Sequence, residues 1–201
     1  MSRFLALGDS YTIGEGVAPA ERWPNQLVAM VRADGVTLGD PEIVATTGWT
    51  TDELDAGIDR AAPRGPYALV SLLIGVNNQY RGRDAEEYRA QFIALLARAR
   101  DFAGGRTDHV LVLSIPDWGV TPFAEGRDRA RIASEIDRFN AINREEAARL
   151  GARYVDVTGI SRRAAQGETW FAGDGLHPGA AMYHEWAEAA RPEVVDMLRD
   201  R

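Results

Sequence analysis

The sequence predicts an α/β protein built on a parallel sheet with helices on both faces. Two observations carry this prediction. Five apolar runs rich in Val, Ile and Leu are continuous rather than alternating, which is typical of strands buried on both faces of a parallel sheet. These runs alternate with longer segments of helical periodicity, the pattern of repeated β–α–β units. The predicted strands cover residues 4–7, 42–45, 67–74, 109–115 and 153–157.

The first two predicted helices follow the first two strands and have recognisable starts. Residues 23–33 carry Leu27, Met30 and Val31 at helical spacing, and Pro24 suits the first turn of that helix. Residues 51–61 begin with hydroxyl and acidic side chains, which a helix N-terminus prefers.

The last three predicted helices cover residues 84–102, 127–150 and 179–198. The helix at 84–102 has the clearest apolar stripe, which includes Tyr88 and Phe92. Gly151 is placed to end the helix at 127–150. Pro192 is expected to kink or divide the final helix, because proline lacks the backbone donor that a helix interior needs.

The composition is that of an ordinary soluble protein of one domain, covering residues 1–201. Its 201 residues are 45% apolar and 26% charged. A net charge of −7 argues against nucleic acid or an anionic membrane as a stable partner. Because cysteine is absent, disulfides, thiolate metal sites and a cysteine nucleophile are excluded. The sequence gives no indication of the oligomeric state.

The start of the sequence predicts a cytoplasmic protein. Met1, Ser2 and Arg3 lead directly into a short apolar run, without the apolar region or cleavage site of a signal peptide. No run approaches the roughly 18 apolar residues that a membrane-spanning helix needs. A secreted protein is expected only if a signal peptide was removed from the chain.

Three side chains suited to nucleophilic catalysis lie in loops beyond the predicted strands. Ser10 follows the first strand, and Asp174 and His177 share the loop before the last helix. Because the carboxyl ends of parallel strands meet at one edge of the sheet, these loops are expected to converge. A serine hydroxyl needs a base to remove its proton, and the base needs a third group to hold its tautomer. The neighbouring acid, Asp9, is expected to fix the turn through backbone hydrogen bonds instead.

Donors for a developing oxyanion are available on two further strand-end loops. Gly48 follows the second strand and can present its N–H with no side chain in the way. Asn77 follows the third strand, and its amide is a neutral donor. The backbone N–H of Ser10 is a third candidate, whereas turn formation by Gly48 and loop capping by Asn77 are the structural alternatives.

Several other side chains near these loops are candidates for a substrate pocket, although core packing explains any single aromatic residue equally well. The candidates are Tyr11, Trp49, Asn78, Tyr80, Trp118 and Trp170, and Phe123 and Phe171 are further aromatic residues near these loops. Arg81 and Arg83 follow the third strand and are placed to meet an anionic substrate group. A solvated loop face is the favoured interpretation of these two arginines.

Taken in order, four blocks of this sequence resemble the SGNH (GDSL-type) hydrolase family of esterases, lipases, lysophospholipases, thioesterases and carbohydrate deacetylases. The blocks are Gly8-Asp9-Ser10-Tyr11, Gly48, Gly75-Val76-Asn77-Asn78 and Asp174-Gly175-Leu176-His177-Pro178. The resemblance implies Ser10 as nucleophile, His177 as base, Asp174 as its orienting acid, and Gly48 and Asn77 as oxyanion donors. It also implies a flavodoxin-like three-layer α/β/α sandwich of five parallel strands, with no cofactor.

The sequence departs from the family pattern at two positions. Tyr11 stands where the family name has leucine, and Asn78 stands where many members have aspartate. Neither change removes a catalytic group. The second removes a negative charge beside the oxyanion donor.

The favoured function is hydrolysis of short-acyl carboxylic esters through an acyl-enzyme on Ser10. Within the same family, a carbohydrate O-deacetylase and a lysophospholipase or thioesterase are alternatives. A flavodoxin-like module that binds nucleotide or phosphate through residues 8–16 is an alternative of another class, but that segment holds two acids and no lysine. A metal site at Asp9, Asp174 and His177 lacks any supporting motif. A catalytically idle glycan binder is disfavoured because all four blocks are intact.

Overall fold

The computed structural model describes residues 2–164 and 170–199. In these residues five strands form one sheet in the order β2-β1-β3-β4-β5, and every neighbouring pair is parallel. The strands are β1 (Phe4–Gly8), β2 (Pro41–Ala45), β3 (Leu69–Leu73), β4 (Val110–Leu113) and β5 (Arg153–Val155). The predicted α/β class and parallel sheet are confirmed. Strands β3, β4 and β5 end one or two residues inside the predicted runs, and β1 and β2 are each one residue longer than predicted.

The apolar runs form strands where the sheet is covered on both faces. Every residue of the central strands β1, β3 and β4 is buried. The two edge strands, β2 and β5, are partly exposed, and they are also the runs with the most polar composition. Continuous apolar sequence therefore marks the centre of the sheet.

Helices cover both faces of this sheet. They are α1 (Ser10–Ile13), α2 (Trp23–Ala33), α3 (Thr51–Ala61), α4 (Val76–Tyr80), α5 (Ala85–Phe102), α6 (Arg129–Leu150), α7 (Thr158–Ala164) and α8 (Ala180–Arg199). Helix α2 packs against α8, and α5 packs between α3 and α6. Side-chain caps define two of the starts, since Asp84 accepts backbone hydrogen bonds at α5 and Asp128 does so at α6.

Two features of the helices differ from the sequence expectation. The short helices α1, α4 and α7 were not predicted, because four to seven residues are too few to show a periodic apolar pattern. Helix α8 runs without a break through Pro192, so the expected division of this helix is wrong. Pro192 is exposed, and the buried side of the helix continues past it through Val194 and Met197.

The topology places a crevice at the carboxyl edge of the sheet. Strands β2 and β3 lie on opposite sides of β1, so the order of strands reverses at β1. The loops that leave β1 and β3 therefore turn to opposite faces and leave a gap between them, which is where ligands bind in open α/β sheets. Among the described residues, no helix has both the length and the apolar character needed to cross a membrane.

Candidate active site

Ser10, His177 and Asp174 form one hydrogen-bonded row in this crevice. The Nε2 atom of His177 lies 2.9 Å from Ser10 Oγ, and its Nδ1 atom lies 2.5 Å from Asp174 Oδ2. A carboxylate accepts and does not donate, so the Nδ1 position carries the proton and Nε2 is left to accept from the serine hydroxyl. Ser10 and His177 are 5% and 7% exposed, which keeps this contact largely out of water while one side still faces the crevice.

A tight turn at the end of β1 fixes Ser10. The Asp9 side chain accepts a 3.0 Å hydrogen bond from the Tyr11 N–H and caps helix α1. The strand before it approaches its neighbours closely, since a Cβ atom on Gly8 would lie 2.2 Å from Thr12 Oγ1 and 2.4 Å from the Leu73 carbonyl oxygen. Only glycine fits at this position, which is the last of the strand before the turn that carries Ser10.

Hydrogen bonds within the loop before α8 fix the positions of Asp174 and His177 relative to each other. Asp174 Oδ1 accepts from the backbone N–H groups of Leu176 and His177, each at 2.9 Å. The loop is closed by hydrogen bonds from the Ala172 N–H to the His177 carbonyl at 2.7 Å and from the Gly179 N–H to Trp170 at 2.8 Å. One oxygen of Asp174 thus shapes the turn, and the other remains free to meet the imidazole.

Asp174 is held in its ionised form. Partial burial, the largest single influence, acts to raise its pKa, but the hydrogen bonds from the His177 ring and from the Leu176 and His177 N–H groups together bring that pKa below its usual 3.8. The carboxylate is therefore negative at neutral pH, as a partner of an imidazolium must be.

The three residues predicted to supply oxyanion donors, Ser10, Gly48 and Asn77, line the same cleft. The N–H of Ser10 opens helix α1 and has no intrahelical partner. Gly48 adopts φ of +83°, a conformation that favours glycine, at the turn after β2. One N–H of the Asn77 amide donates to the Trp49 carbonyl at 3.0 Å, which fixes the amide and leaves its second N–H available. Ser10, Gly48, Asn77 and His177 all line one cleft with a volume of about 210 Å³.

Three of the predicted pocket residues, Tyr11, Tyr80 and Trp118, line this cleft. The Tyr11 ring meets the His177 ring edge-on, with centroids 5.7 Å apart, and so packs behind the imidazole. Burial, the largest influence, together with the nearby charges of Asp9, Asp117 and Asp174, raises the Tyr11 pKa, so its hydroxyl stays neutral.

The other three predicted pocket residues, Trp49, Asn78 and Trp170, are not among the residues that line the cleft. Asn78 is fully buried, where its amide donates to Thr51 Oγ1 at 2.7 Å and accepts from the Thr51 N–H at 3.1 Å, joining α4 to α3. The Trp49 indole packs on Gly57 of α3 instead, and Trp170 packs against the core.

The cleft also contains side chains that the sequence analysis did not assign to it. These are Thr47, Val76 and Leu176, whereas Phe123 was among the aromatic residues considered for the pocket. Thr47, Val76 and Leu176 each directly precede a residue of the site, and that adjacency is the sequence signal by which they could have been found. Phe123 comes from the loop after β4, and its N–H donates to the Gly175 carbonyl at 3.0 Å.

The remaining ionisable candidates lie outside the row. Asp9 is fully buried, and burial raises its pKa to about 7 against the lowering effect of the Tyr11 N–H. Of the other two histidines, His109 contacts the Ala68 carbonyl at 2.6 Å and His184 contacts Gln26 at 2.9 Å, both away from the cleft. Among residues 2–164 and 170–199, no group of three or more His, Asp or Glu side chains is arranged to hold a metal ion.

A parallel sheet that presents a hydrogen-bonded Ser–His–Asp row at its carboxyl edge defines the class of α/β serine hydrolases. Residues 6–185 match the family model of the GDSL-like Lipase/Acylhydrolase family. The chain belongs to this family and is an SGNH-type carboxylic ester hydrolase, so the resemblance seen in its four sequence blocks is confirmed.

Solved structures share the fold across essentially the whole chain. The structure of TesA has 21% identity and a TM-score of 0.75, and covers 98% of this chain and 100% of its own. The lipase/acylhydrolase from Enterococcus faecalis has 16% identity and a TM-score of 0.76, with 100% and 99% covered. Axe2, an acetylxylan esterase from Geobacillus stearothermophilus, has 18% identity and a TM-score of 0.73, with 100% and 97% covered. A sequence comparison with curated proteins finds no match.

Proposed function

We propose that the protein hydrolyses carboxylic esters of short acyl chains through a covalent acyl-enzyme on Ser10. The observation that carries this proposal is the row in which Ser10 Oγ lies 2.9 Å from His177 Nε2 and Asp174 lies 2.5 Å from Nδ1. The distance between Ser10 Oγ and His177 Nε2 falls in the range over which a base can take the serine proton.

In the first half-reaction, Ser10 Oγ attacks the ester carbonyl carbon as its proton passes to His177 Nε2. The carbonyl π electrons move to oxygen, and the resulting oxyanion accepts hydrogen bonds from the Ser10 N–H, the Gly48 N–H and the Asn77 amide. Asp174 stabilises the imidazolium and prevents its rotation. The bond to the alcohol then breaks, and the alcohol leaves with the proton from Nε2.

In the second half-reaction, water takes the place of the alcohol. His177 Nε2 accepts a proton from the water as its oxygen attacks the acyl carbon on Ser10. The tetrahedral intermediate collapses, the bond to Oγ breaks, and Oγ recovers a proton from Nε2. The carboxylic acid is released and the row returns to its starting state.

The size and walls of the cleft support a short acyl group. Its volume of about 210 Å³ lies below the roughly 300 Å³ at which pockets for drug-sized ligands begin. Apolar walls from Val76 and Leu176 suit a few methylene groups close to the oxyanion donors.

A series of 4-nitrophenyl esters from acetyl to palmitoyl tests this preference. We expect kcat/KM to be greatest between acetyl and butyryl and to fall at least about tenfold by octanoyl, because longer chains cannot be enclosed. A kcat/KM that rises with chain length would overturn the short-acyl assignment in favour of a lysophospholipase or thioesterase. Labelling with a serine-directed phosphonate, followed by peptide mass spectrometry, is expected to place the adduct on Ser10.

Carbohydrate O-deacetylation is the second candidate. Two exposed aromatic side chains, Tyr80 at 49% and Phe123 at 41%, stand at the mouth of the cleft, where a sugar ring could stack. The shared fold with an acetylxylan esterase is consistent with this candidate. Acetylated xylo-oligosaccharides assayed beside 4-nitrophenyl acetate separate the two, since a deacetylase is expected to favour the sugar ester in kcat/KM.

The phosphate-binding alternative is disfavoured by the turn after β1. In that turn, the N–H groups of Thr12 and Ile13 donate to the Asp9 carbonyl, and those of Gly14 and Glu15 donate to Ser10, at 3.0–3.1 Å. A phosphate loop needs these donors free to point at the ligand. Here they are used within the turn itself.

Replacement of Asn77 by alanine tests the oxyanion donors. We expect kcat to fall by about 10²- to 10³-fold with little change in KM, because the amide acts mainly on charge that develops in the transition state. Steady-state kinetics with 4-nitrophenyl acetate, beside a thermal melt, provide the measurement.

Asn78 offers the matched control for this experiment, because it bonds to Thr51 and does not line the cleft. Its alanine variant is expected to lower the melting temperature more than the catalytic constant of the folded enzyme. An Asn77→Ala enzyme with unchanged kcat would remove Asn77 from the proposed mechanism.

A further inference from the structure

The cleft opens onto a group of three aromatic residues, Tyr80, Trp118 and Phe123, which we term the rim cluster. The Tyr80 and Trp118 rings have centroids 5.3 Å apart, and the Trp118 and Phe123 rings 6.2 Å apart. Trp118 is buried at 4% exposure, whereas Tyr80 and Phe123 are two of the three exposed large apolar side chains of the described surface. The cluster thus forms a wall with a buried base and an exposed edge.

Arg127 lies over all three rings of the rim cluster. Its guanidinium carbon is 5.5 Å from the Tyr80 centroid, 5.4 Å from Trp118 and 5.1 Å from Phe123. Among the described residues, the guanidinium makes one hydrogen-bond contact, a long one of 3.5 Å to the Tyr80 hydroxyl. In the part of the chain that the structure describes, Arg127 forms no ion pair. Its guanidinium therefore keeps donors available to a ligand.

The other arginines at this end of the cleft are already paired. Arg81 donates to the Gly48 carbonyl at 2.6 Å and forms an ion pair with Glu53 at 3.2 Å. Arg83 pairs with Asp52 at 2.8 Å. Arg81 and Arg83, for which an anionic substrate group was the less favoured interpretation, thus have carboxylate partners within the protein. Of these three arginines, Arg127 is the one with no carboxylate partner among the described residues.

The rim cluster is held rigidly beneath Arg127. The Trp118 indole N–H donates to Gln79 Oε1 at 2.7 Å, and the Gln79 amide donates to Glu135 at 2.7 Å. Glu135 is paired in turn with Arg131 at 2.7 Å. This chain of contacts fixes the indole and occupies Glu135. A second acid in the same depression as Arg127, Asp128, accepts from the Arg131 N–H at 3.0 Å as the cap of α6, and among the described residues it forms no ion pair with Arg127.

The catalytic cleft and the Arg127 site adjoin each other. Tyr80 and Trp118 line the cleft that contains Ser10, and the same two residues line a neighbouring depression that contains Arg127. A substrate bound at Ser10 would therefore have to extend along the rim cluster to contact the guanidinium.

We infer that Arg127 binds an oxyanion group, such as a carboxylate, on the ester substrate. This inference rests on the proposed esterase function and names the substrate class as anionic esters with an apolar or aromatic spacer. A guanidinium stacked on aromatic rings loses little of its charge and can offer two parallel N–H donors to a carboxylate. A protein of net charge −7 repels anions overall, and a local cation such as Arg127 offsets this repulsion for an anionic ester.

Matched pairs of esters test the inference on both sides of the scissile bond. 4-Acetoxybenzoate and its methyl ester place the charge, or its neutral equivalent, on the alcohol side. Mono-4-nitrophenyl glutarate and its methyl ester do the same on the acyl side, with the spontaneous rate subtracted. For Arg127→Gln, we expect kcat/KM of at least one anionic ester to fall by roughly three- to fivefold through KM, the upper part of the range for an exposed ion pair, since Arg127 is exposed. The methyl esters are expected to change less than twofold.

Two further variants separate binding from packing. Arg127→Lys keeps the charge and is expected to restore part of the anionic preference. Arg64→Gln removes the same charge from the loop that precedes β3, at the opposite edge of the sheet, and is expected to leave both ester pairs unchanged. Equal losses on the anionic and neutral esters in Arg127→Gln would show that Arg127 only packs the rings, and no loss on either anionic ester would also overturn the inference.

A binding experiment keeps this inference distinct from the proposed function. If the wild-type protein hydrolyses none of these esters, the proposed function fails, but calorimetric titration of the Ser10→Ala protein with 4-acetoxybenzoate still measures recognition. We expect the anionic ester to bind more tightly than its methyl ester, and the additional Arg127→Gln change to abolish that difference. Equal affinities in the Ser10→Ala protein would contradict the inference.

Discussion

Replacement of Ser10 by alanine is expected to lower kcat for 4-nitrophenyl acetate by about 10⁴- to 10⁶-fold. The reason is that Ser10 Oγ forms the covalent intermediate in the proposed mechanism, and His177 Nε2 lies 2.9 Å from it. The residual rate would come from the oxyanion donors acting on a water molecule, since those donors remain in place. Initial-rate kinetics on purified protein, corrected for the spontaneous rate, give the measurement.

The Ser10→Ala protein is expected to remain folded. Ser10 is buried at the start of α1, and the turn there is held by Asp9 rather than by the serine hydroxyl. Ser134→Ala removes the same group from an exposed position on α6 and serves as the matched control, with full activity expected. Activity of Ser10→Ala within tenfold of the wild type, with an unchanged melting temperature, would exclude Ser10 as the nucleophile.

The sequence was most informative where local chemistry and topology agree. Continuous apolar runs identified the buried strands, and parallel strands bring their carboxyl ends to one edge whatever the details of packing. That rule alone predicted that Ser10 and His177, 167 positions apart, would meet. The Asp174–His177 pair was readable for a different reason, because residues three apart in a turn are neighbours by covalent geometry.

The sequence was least informative about which way a side chain points. Asn77 and Asn78 are adjacent and chemically identical, yet one lines the cleft and the other is buried against α3. The difference arises from the short helix α4, whose rotation is set by packing on distant segments. The sequence likewise predicted that the Trp49 side chain lines the pocket. Instead, the backbone carbonyl of Trp49 accepts a hydrogen bond from the Asn77 amide and fixes its position.

Arg127, which we propose to bind an oxyanion group of the substrate, shows the same limit. It follows β4, whereas Tyr80 follows β3, and the sequence carries no pattern that links them. Their contact exists because the loops after β3 and β4 rise side by side from neighbouring strands. Contacts between such loops depend on the tertiary structure. Among proteins that share a fold, these contacts can differ and change the substrate specificity while the catalytic residues stay the same.

Replacement of Asp174 by asparagine is expected to lower kcat by about 10³- to 10⁴-fold while leaving the loop intact. Asparagine retains an oxygen that can accept from the Leu176 and His177 N–H groups, so the turn before α8 is preserved. Its amide nitrogen, however, would donate to His177 Nδ1 where Asp174 now accepts at 2.5 Å. The imidazole would then carry its proton on Nε2, and Nε2 could no longer accept from Ser10.

The pH dependence of stability provides the complementary readout for Asp174. Because hydrogen bonds hold its pKa in the folded protein below the usual 3.8, the ionised carboxylate stabilises the fold above pH 3.8, and this contribution is lost as the pH falls through the lower folded pKa. Asp174→Asn should therefore reduce the acid sensitivity of the melting temperature. Asp40→Asn, at an exposed site paired with Arg32, is the matched control for both measurements. A loss of kcat smaller than tenfold in Asp174→Asn would show that the turn alone, without the carboxylate charge, is enough to orient His177.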